Sequence, residues 1–220
     1  TKVPPETDFE LCCLLADTLT TGFGNINNDA KVKAGESVVI FGVGGIGLGV
    51  VLGAKLAGAG PIIGVDLHDH KLAKAAEYGL THQINATREN AADRVREILG
   101  GLADVTVDGT GNPKVIETAY DLAKLRGGRC VLFGVMPSDQ RVSIHTLPLH
   151  FGRTLTGSEG GQSRPEIDIP EILRVLDKGN IAWHGFISHR GKLADVDQII
   201  GQMRSGEVIH AIARLDAPNS

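Results

Sequence analysis

Apolar residues in this chain fall into short β-branched runs that alternate with stretches of helical period. Residues 37–41 read Ser-Val-Val-Ile-Phe and are followed by glycine, as expected of a strand buried on both faces. A helix rich in Gly, Ala, Val and Leu is predicted over 44–59, a second strand over 61–66 and a second helix over 69–78. The alternation continues with a short strand at 83–84, an amphipathic helix at 90–99, a strand at 103–107, a helix at 113–124 and a strand at 128–133. Strands separated by single helices indicate βαβ units, hence an α/β fold with a doubly wound parallel sheet and helices on both faces.

The two ends read differently. Residues 4–7 are an extended lead-in, and from Asp8 a helical pattern (Phe9, Leu11, Cys12, Leu14, Leu15) runs until it is interrupted near 20–22. Beyond Gly157 the chain turns polar. A loop at 158–170 leads to a helix at 172–177, a strand at 185–188, a helix at 193–203 and a closing strand at 208–215. A boundary near Gly160 separates a C-terminal α/β tail too short for a core of its own.

Glycine changes this picture most: 29 of 220 residues, about twice ordinary usage. The glycines follow no fixed period, so they mark turns and close backbone approaches. A net charge of -4 without a basic block excludes nucleic acid as a principal partner. No unbroken apolar run reaches membrane-spanning length, so no membrane partner is expected. Cys12, Cys13 and Cys130 form no C-x-x-C pattern, and no charged-then-apolar leader is seen. The expectation is reduced thiols in a cytoplasmic protein.

The candidate chemistry sits after the first strand. Gly42, Gly44 and Gly47 satisfy G-x-G-x-x-G, with Gly45 and Ile46 inside the turn, directly between a buried strand and a helix. The first glycine permits the tight turn, the second lets a pyrophosphate approach the backbone, and the third lets helix and sheet pack closely. The helix N-terminus adds unpaired N–H groups and a positive dipole end. Asp66 ends the second strand 19 residues after Gly47, where a carboxylate accepts hydrogen bonds from adenosine ribose hydroxyls. A 2′-phosphate there would meet a like charge, a repulsion of order 4 kcal/mol at ~4 Å and an effective dielectric near 20. With Leu67 following and no arginine adjacent, NAD is favoured over NADP, and Lys71 is a further candidate for a ribose hydroxyl. The pattern is that of a Rossmann domain. A glycine-rich turn with a solvated aspartate, or an S-adenosylmethionine-binding methyltransferase, are the other readings of the same residues.

Beyond the fingerprint, the segments 14–24, 41–47 and 62–66 resemble the zinc-dependent medium-chain alcohol dehydrogenases. The likeness continues through 109–112, 127–128, 133–135, 152–154 and 204–206. Membership implies a GroES-like catalytic half ahead of this region. Residues 1–24 would then join that half, 25–160 would form the NAD-binding domain, and 161–220 would return to complete the catalytic domain. The resemblance implies that Asp17 occupies a zinc-ligand position more often held by cysteine, and carboxylate oxygen is an acceptable zinc donor. The other reading of Asp17 is a cap on a helix begun by Thr18. The resemblance likewise implies that Thr21 packs beside the nicotinamide, that Ile46 is its apolar neighbour, and that Phe133, Gly134 and Val135 meet the carboxamide. Thr21 as helix interior, and Ile46 and Phe133 as core, remain open. Arg153 and His210 fall at pyrophosphate or dimer-contact positions. The histidine pairs 68/70, 145/150 and 184/189 lack the spacing of a metal site.

The implied activity is hydride transfer between an alcohol or carbonyl substrate and NAD with zinc as Lewis acid, in a homodimer or homotetramer. Two alternatives stay open: a zinc-free NADPH-dependent quinone or enoyl reductase, and a non-catalytic NAD-binding redox sensor.

Overall fold

The computed structural model describes residues 1–215; residues 216–220 of the expected tail lie outside the described residues. Six strands, β1 (Val38–Phe41), β2 (Ile62–Asp66), β3 (His82–Asn85), β4 (Val105–Asp108), β5 (Arg129–Leu132) and β6 (Thr154–Gly157), form one sheet. All pairs are parallel and the spatial order is β3-β2-β1-β4-β5-β6. That order reverses between β1 and β4, and a ligand crevice opens at such a switch point, outside the carboxyl ends of the strands.

The unbroken apolar run explains β1, which is buried on both faces. Val38 and Ile40 join a cluster with Leu14, Leu15, Leu19, Leu48 and Leu52, whereas Val39 and Phe41 join Ile63, Val65, Val95, Tyr120 and Leu122. The first face carries α1 (Phe9–Ala16), α2 (Thr18–Gly24), α3 (Gly45–Leu56) and α4 (Asp69–Tyr78); the second carries α5 (Ala91–Leu99) and α6 (Pro113–Leu122). Asn90 and Asn112 cap α5 and α6 through side-chain oxygens that accept from Asp93 N (3.1 Å) and Lys114 N (2.9 Å).

Four expectations need correction. The break in the first helical stretch lies at Asp17 (φ -150°, ψ -58°), and α2 runs straight through residues 20–22. Gly22 is a crossing point: a Cβ there would lie 2.5 Å from the Gly49 backbone of α3, so the glycine permits contact between two helices. The strand β6 was not foreseen, because Thr-Leu-Thr-Gly at a sheet edge is exposed and carries no apolar alternation. The expected polar loop at 158–170 ends early, since α7 (Pro165–Lys178) starts on a proline in its first turn, where the missing N–H costs nothing. Residues 183–186 form a 3₁₀ turn, and the next strand is β7 (His189–Lys192).

The tail then continues through α8 (Val196–Arg204) and β8 (Ala211–Arg214), which pairs in parallel with β7. Ile169, Ile172, Leu176, Phe186, Ile187, Ile209 and Ile212 bury into the same cluster as α1–α4. Tyr78 O–H donates to Ala182 O (2.8 Å) and its ring meets Phe186 edge-on at 4.6 Å. The tail thus packs on the α1–α4 face, and its Met203, Ile209 and His210 supply one wall of the crevice described next.

Candidate functional site

β1 hands the chain directly to the glycine turn. Gly42 has φ +87°, a conformation that would strain any other residue, and its N–H donates to Val65 O (2.8 Å). Gly44 stands at the N-cap of α3 in extended conformation with no side-chain cap, and a Cβ there would meet no atom within 4 Å. At Gly47 a Cβ would stand 2.1 Å from Gly42 O. The three glycines thus serve a positive-φ turn, an open cradle and a close backbone contact. The first-turn amides of α3 have no intrahelical carbonyl to bond and aim at this cradle.

Asp66 lies against the turn. Its Oδ2 accepts from Val43 N (3.0 Å) and its Oδ1 from Leu67 N (2.8 Å) and His68 N (3.0 Å). A carboxylate offers about four lone-pair positions, so roughly one remains for a ligand hydroxyl. This acid ties the glycine loop to the end of β2 as well as facing the crevice.

The crevice is a cleft of ≈440 Å³ lined by residues from six separate stretches of chain. It brings together Asp17, Gly42, Gly44, Gly45, Ile46, Gly47, Asp66, Lys71 and Phe133. Hollows of ≈240 Å³ between α2, α3 and α7 and ≈670 Å³ beside α1 and β8 contain none of the glycine turn.

The remaining expected residues, Thr21, Gly134, Val135 and Arg153, do not line the cleft. Thr21 is buried, and its Oγ1 donates to Asp17 Oδ1 at 2.7 Å. Asp17 is exposed at the N-cap position of α2, which begins at Thr18, but its side chain makes no cap bond to a backbone N–H. Gly134 is wedged against the β4 loop: a Cβ on it would lie 2.4 Å from Gly111 N and 2.6 Å from Gly109 C. Val135 is 92% exposed. Arg153 is buried at the opposite end of the sheet, bonded to Ala123 O and Lys124 O with its guanidinium over Tyr120. It precedes β6, so it cannot reach a pyrophosphate at the carboxyl ends of the strands.

Sequence reasoning left out Thr110, Met203 and Ile209 as cleft walls; His210, expected at a pyrophosphate or dimer-contact position, lines the cleft with them. The His210 ring covers Gly45, its Nδ1 lying 2.7 Å from where a Cβ would stand. Burial pushes its pKa below the ordinary histidine range, with the Asp17 charge acting the other way. Thr110 had a signal in the Gly-Thr-Gly that follows β4; the other three arrive from a tail far away in sequence.

As a metal centre the site is incomplete. Among the described residues no three His, Cys, Asp or Glu side chains lie close enough together to hold an ion. Asp17 offers one carboxylate, already accepting the Thr21 hydroxyl, and the donor set does not by itself fit zinc.

Comparison with known proteins agrees with this geometry. Residues 45–178 match the zinc-binding dehydrogenase family model. The chain is 36% identical over 220 residues to S-(hydroxymethyl)glutathione dehydrogenase of Paracoccus denitrificans, covering 96% of this chain and 58% of that protein. It is 35% identical to the class-3 alcohol dehydrogenase of Cereibacter sphaeroides, with the same coverage. Benzyl alcohol dehydrogenase of Acinetobacter calcoaceticus superposes with a TM-score of 0.91 at 26% identity, over 98% of this chain and 59% of that one. The chain therefore spans somewhat over half the length of the relatives it matches.

Proposed function

Because this chain belongs to the zinc-binding dehydrogenase family, we propose that it is the cofactor-binding portion of an NAD-dependent, zinc-dependent alcohol or polyol dehydrogenase. The observation that carries the reading is the open cradle at Gly44 beside the Asp66 carboxylate.

In this reading Gly42, Gly44, Gly45 and Gly47 hold the diphosphate on the first turn of α3, with Ile46 beside it. Asp66 and Lys71 take the adenosine ribose, and the nicotinamide lies across the switch point toward Phe133, Gly134 and Val135, with Thr21 on its flank. NAD supplies the hydride acceptor. The chain's own residues hold its two ends at a fixed separation, which converts encounter into oriented reaction.

Asp17 would serve as one zinc ligand alongside donors from a catalytic half, and the Thr21 hydroxyl orients it. The residue division follows: 1–24 joins that half, 25–160 binds the dinucleotide and 161–220 completes the catalytic domain. An alcohol or carbonyl would be the substrate. A second copy would pair through the exposed edge at β6, near the exposed Leu147, Leu149 and Phe151. No helix among the described residues is long and apolar enough to cross a membrane, and the free Cys12, Cys13 and Cys130 suit the reducing cytoplasm.

Calorimetric titration of the chain with NADH and NADPH tests the reading. NADH should bind at least about tenfold tighter than NADPH, and Asp66→Ser should erase most of that preference. A wild-type chain that binds neither, or that binds NADPH as tightly as NADH, refutes it; an unchanged ratio in Asp66→Ser removes only the sugar-selecting role of Asp66.

A further inference from the structure

Behind the cleft wall, and not among the residues that line it, lies a further carboxylate. Asp108 ends β4, the first strand beyond the switch point, and is 0% exposed. Its Oδ1 accepts from Thr110 Oγ1 (2.7 Å) and Thr110 N (3.3 Å), and its Oδ2 from Gly111 N (3.0 Å). Its main-chain oxygen accepts from both Phe133 N (2.9 Å) and Gly134 N (3.0 Å). Among the described residues no lysine, arginine or histidine forms an ion pair with it. Burial holds its carboxyl above the usual range, against the bonds from Thr110 and Gly111.

Burying an acid with no counter-charge is expensive, and an apolar side chain of similar size would usually stabilise a strand end as well. What only the acid supplies here is geometry. It accepts from a hydroxyl and two amides at once and closes the turn that puts Gly111 at φ +64°. Gly111 in turn abuts the next loop: a Cβ on it would lie 2.5 Å from Val135 O, and one on Gly109 would lie 2.1 Å from the Phe133 ring. Two loops are thereby locked together, and each sends a side chain, Thr110 and Phe133, into the cleft. Asp66 and the glycine turn belong to β1 and β2, on the other side of the switch point.

We propose that Asp108 is a positioning residue for the nicotinamide half of the site, fixing the wall formed by Thr110 and Phe133 without contacting the cofactor. The proposal rests on the dinucleotide reading above.

The test compares two ligands that share an adenosine diphosphate end. ADP-ribose lacks the nicotinamide; NADH carries it. With Asp108→Asn, one acceptor oxygen becomes an NH₂ donor facing Gly111 N or Thr110. NADH affinity should fall about tenfold, the equivalent of losing one charge-assisted hydrogen bond. ADP-ribose affinity should stay within about twofold, and the fluorescence gain of bound NADH should drop. Thr110→Val, a milder change that leaves the acid in place, should move the same ratio in the same direction by a smaller factor. Equal losses for both ligands in Thr110→Val and Asp108→Asn would make Asp108 a plain scaffold residue and overturn the proposal, as would no loss for either. A wild-type chain that binds ADP-ribose but gains nothing from the nicotinamide also overturns it. One that binds neither ligand removes the dinucleotide reading, and this proposal with it.

Discussion

Two glycines three residues apart should respond to alanine in opposite ways. A methyl on Gly47 would stand 2.1 Å from Gly42 O, where carbon–oxygen contacts settle at about 3.3 Å or more. Neither atom belongs to a flexible side chain, so the turn or α3 must move by about 1 Å. Overpacking of that kind costs about 1–3 kcal/mol, a sizeable share of the ~5–15 kcal/mol that holds a domain together. A methyl on Gly44 meets nothing within 4 Å, and its φ of -71° suits any residue. Losing an N-cap glycine costs at most about 1 kcal/mol. That methyl would occupy the cradle and push a diphosphate off the α3 amides, forfeiting at least one charge-assisted bond worth about 1.5–3 kcal/mol. Gly44→Ala should therefore fold almost normally and bind NADH about 10- to 100-fold more weakly. Gly47→Ala should lose stability first. Urea unfolding followed by far-ultraviolet circular dichroism, with NADH calorimetry on each variant, separates the two. Trp183 lies in the tail, on the 3₁₀ turn, and would report on the wrong region. The reasoning is refuted if Gly44→Ala binds NADH like wild type while keeping its fold, or if Gly47→Ala unfolds at the wild-type urea concentration.

Two pH dependences follow. Burial pushes the His210 pKa down, so the ring is neutral near pH 7, and a diphosphate at Gly45 would favour its protonated form. Affinity for ADP-ribose should rise as pH falls toward the folded pKa of His210, with proton uptake measurable by calorimetry in buffers of different ionisation heat; an equal slope in His210→Gln would exclude this. Hydrogen bonds from Arg190 and Arg214 lower the Glu10 pKa from 4.5 to about 2. A depressed carboxyl pKa stabilises the fold above the unfolded value and loses that contribution as pH falls through the folded one. The clamp of α1 on β7 and β8 should therefore weaken between about pH 4.5 and 2. Urea midpoints over that window should fall more steeply for wild type than for Glu10→Gln, and parallel curves would show that the pair contributes nothing to stability.

Much of the fold was legible because its sheet is parallel and buried. An uninterrupted Val-Val-Ile-Phe cannot serve a half-exposed strand, and its repetition between helices leaves few topologies. Where reading failed, the deciding contact was distant. Gly22 looks like a helix breaker locally, yet it is small because Gly49, 27 residues on, crosses it. β6 exists because β5 offers an edge, with nothing in Thr-Leu-Thr-Gly to announce it. The site divides along the same line. The glycine turn and Asp66 lie on consecutive elements, so their spacing encodes their geometry. His210 and Thr110 reach the cleft only after folding, and the bonds around Asp108 join loops that sequence order keeps apart.

One bond that spacing does not encode changes how the Asp66 experiment must be read. Its Oδ2 holds Val43 N–H inside the glycine turn, so Asp66→Ser loosens the diphosphate cradle while it removes the charge facing the ribose. Loss of the tether weakens NADH and NADPH alike and cancels in the ratio of their affinities. Removal of the carboxylate takes a ribose hydrogen bond from NADH and relieves the 2′-phosphate of NADPH of repulsion, two effects that move the ratio in the same direction and do not cancel. A variant that loses NADH affinity with the ratio unchanged would assign Asp66 to the turn alone. A ratio that moves toward NADPH, whatever the absolute affinities do, isolates the part of this carboxylate that selects the sugar.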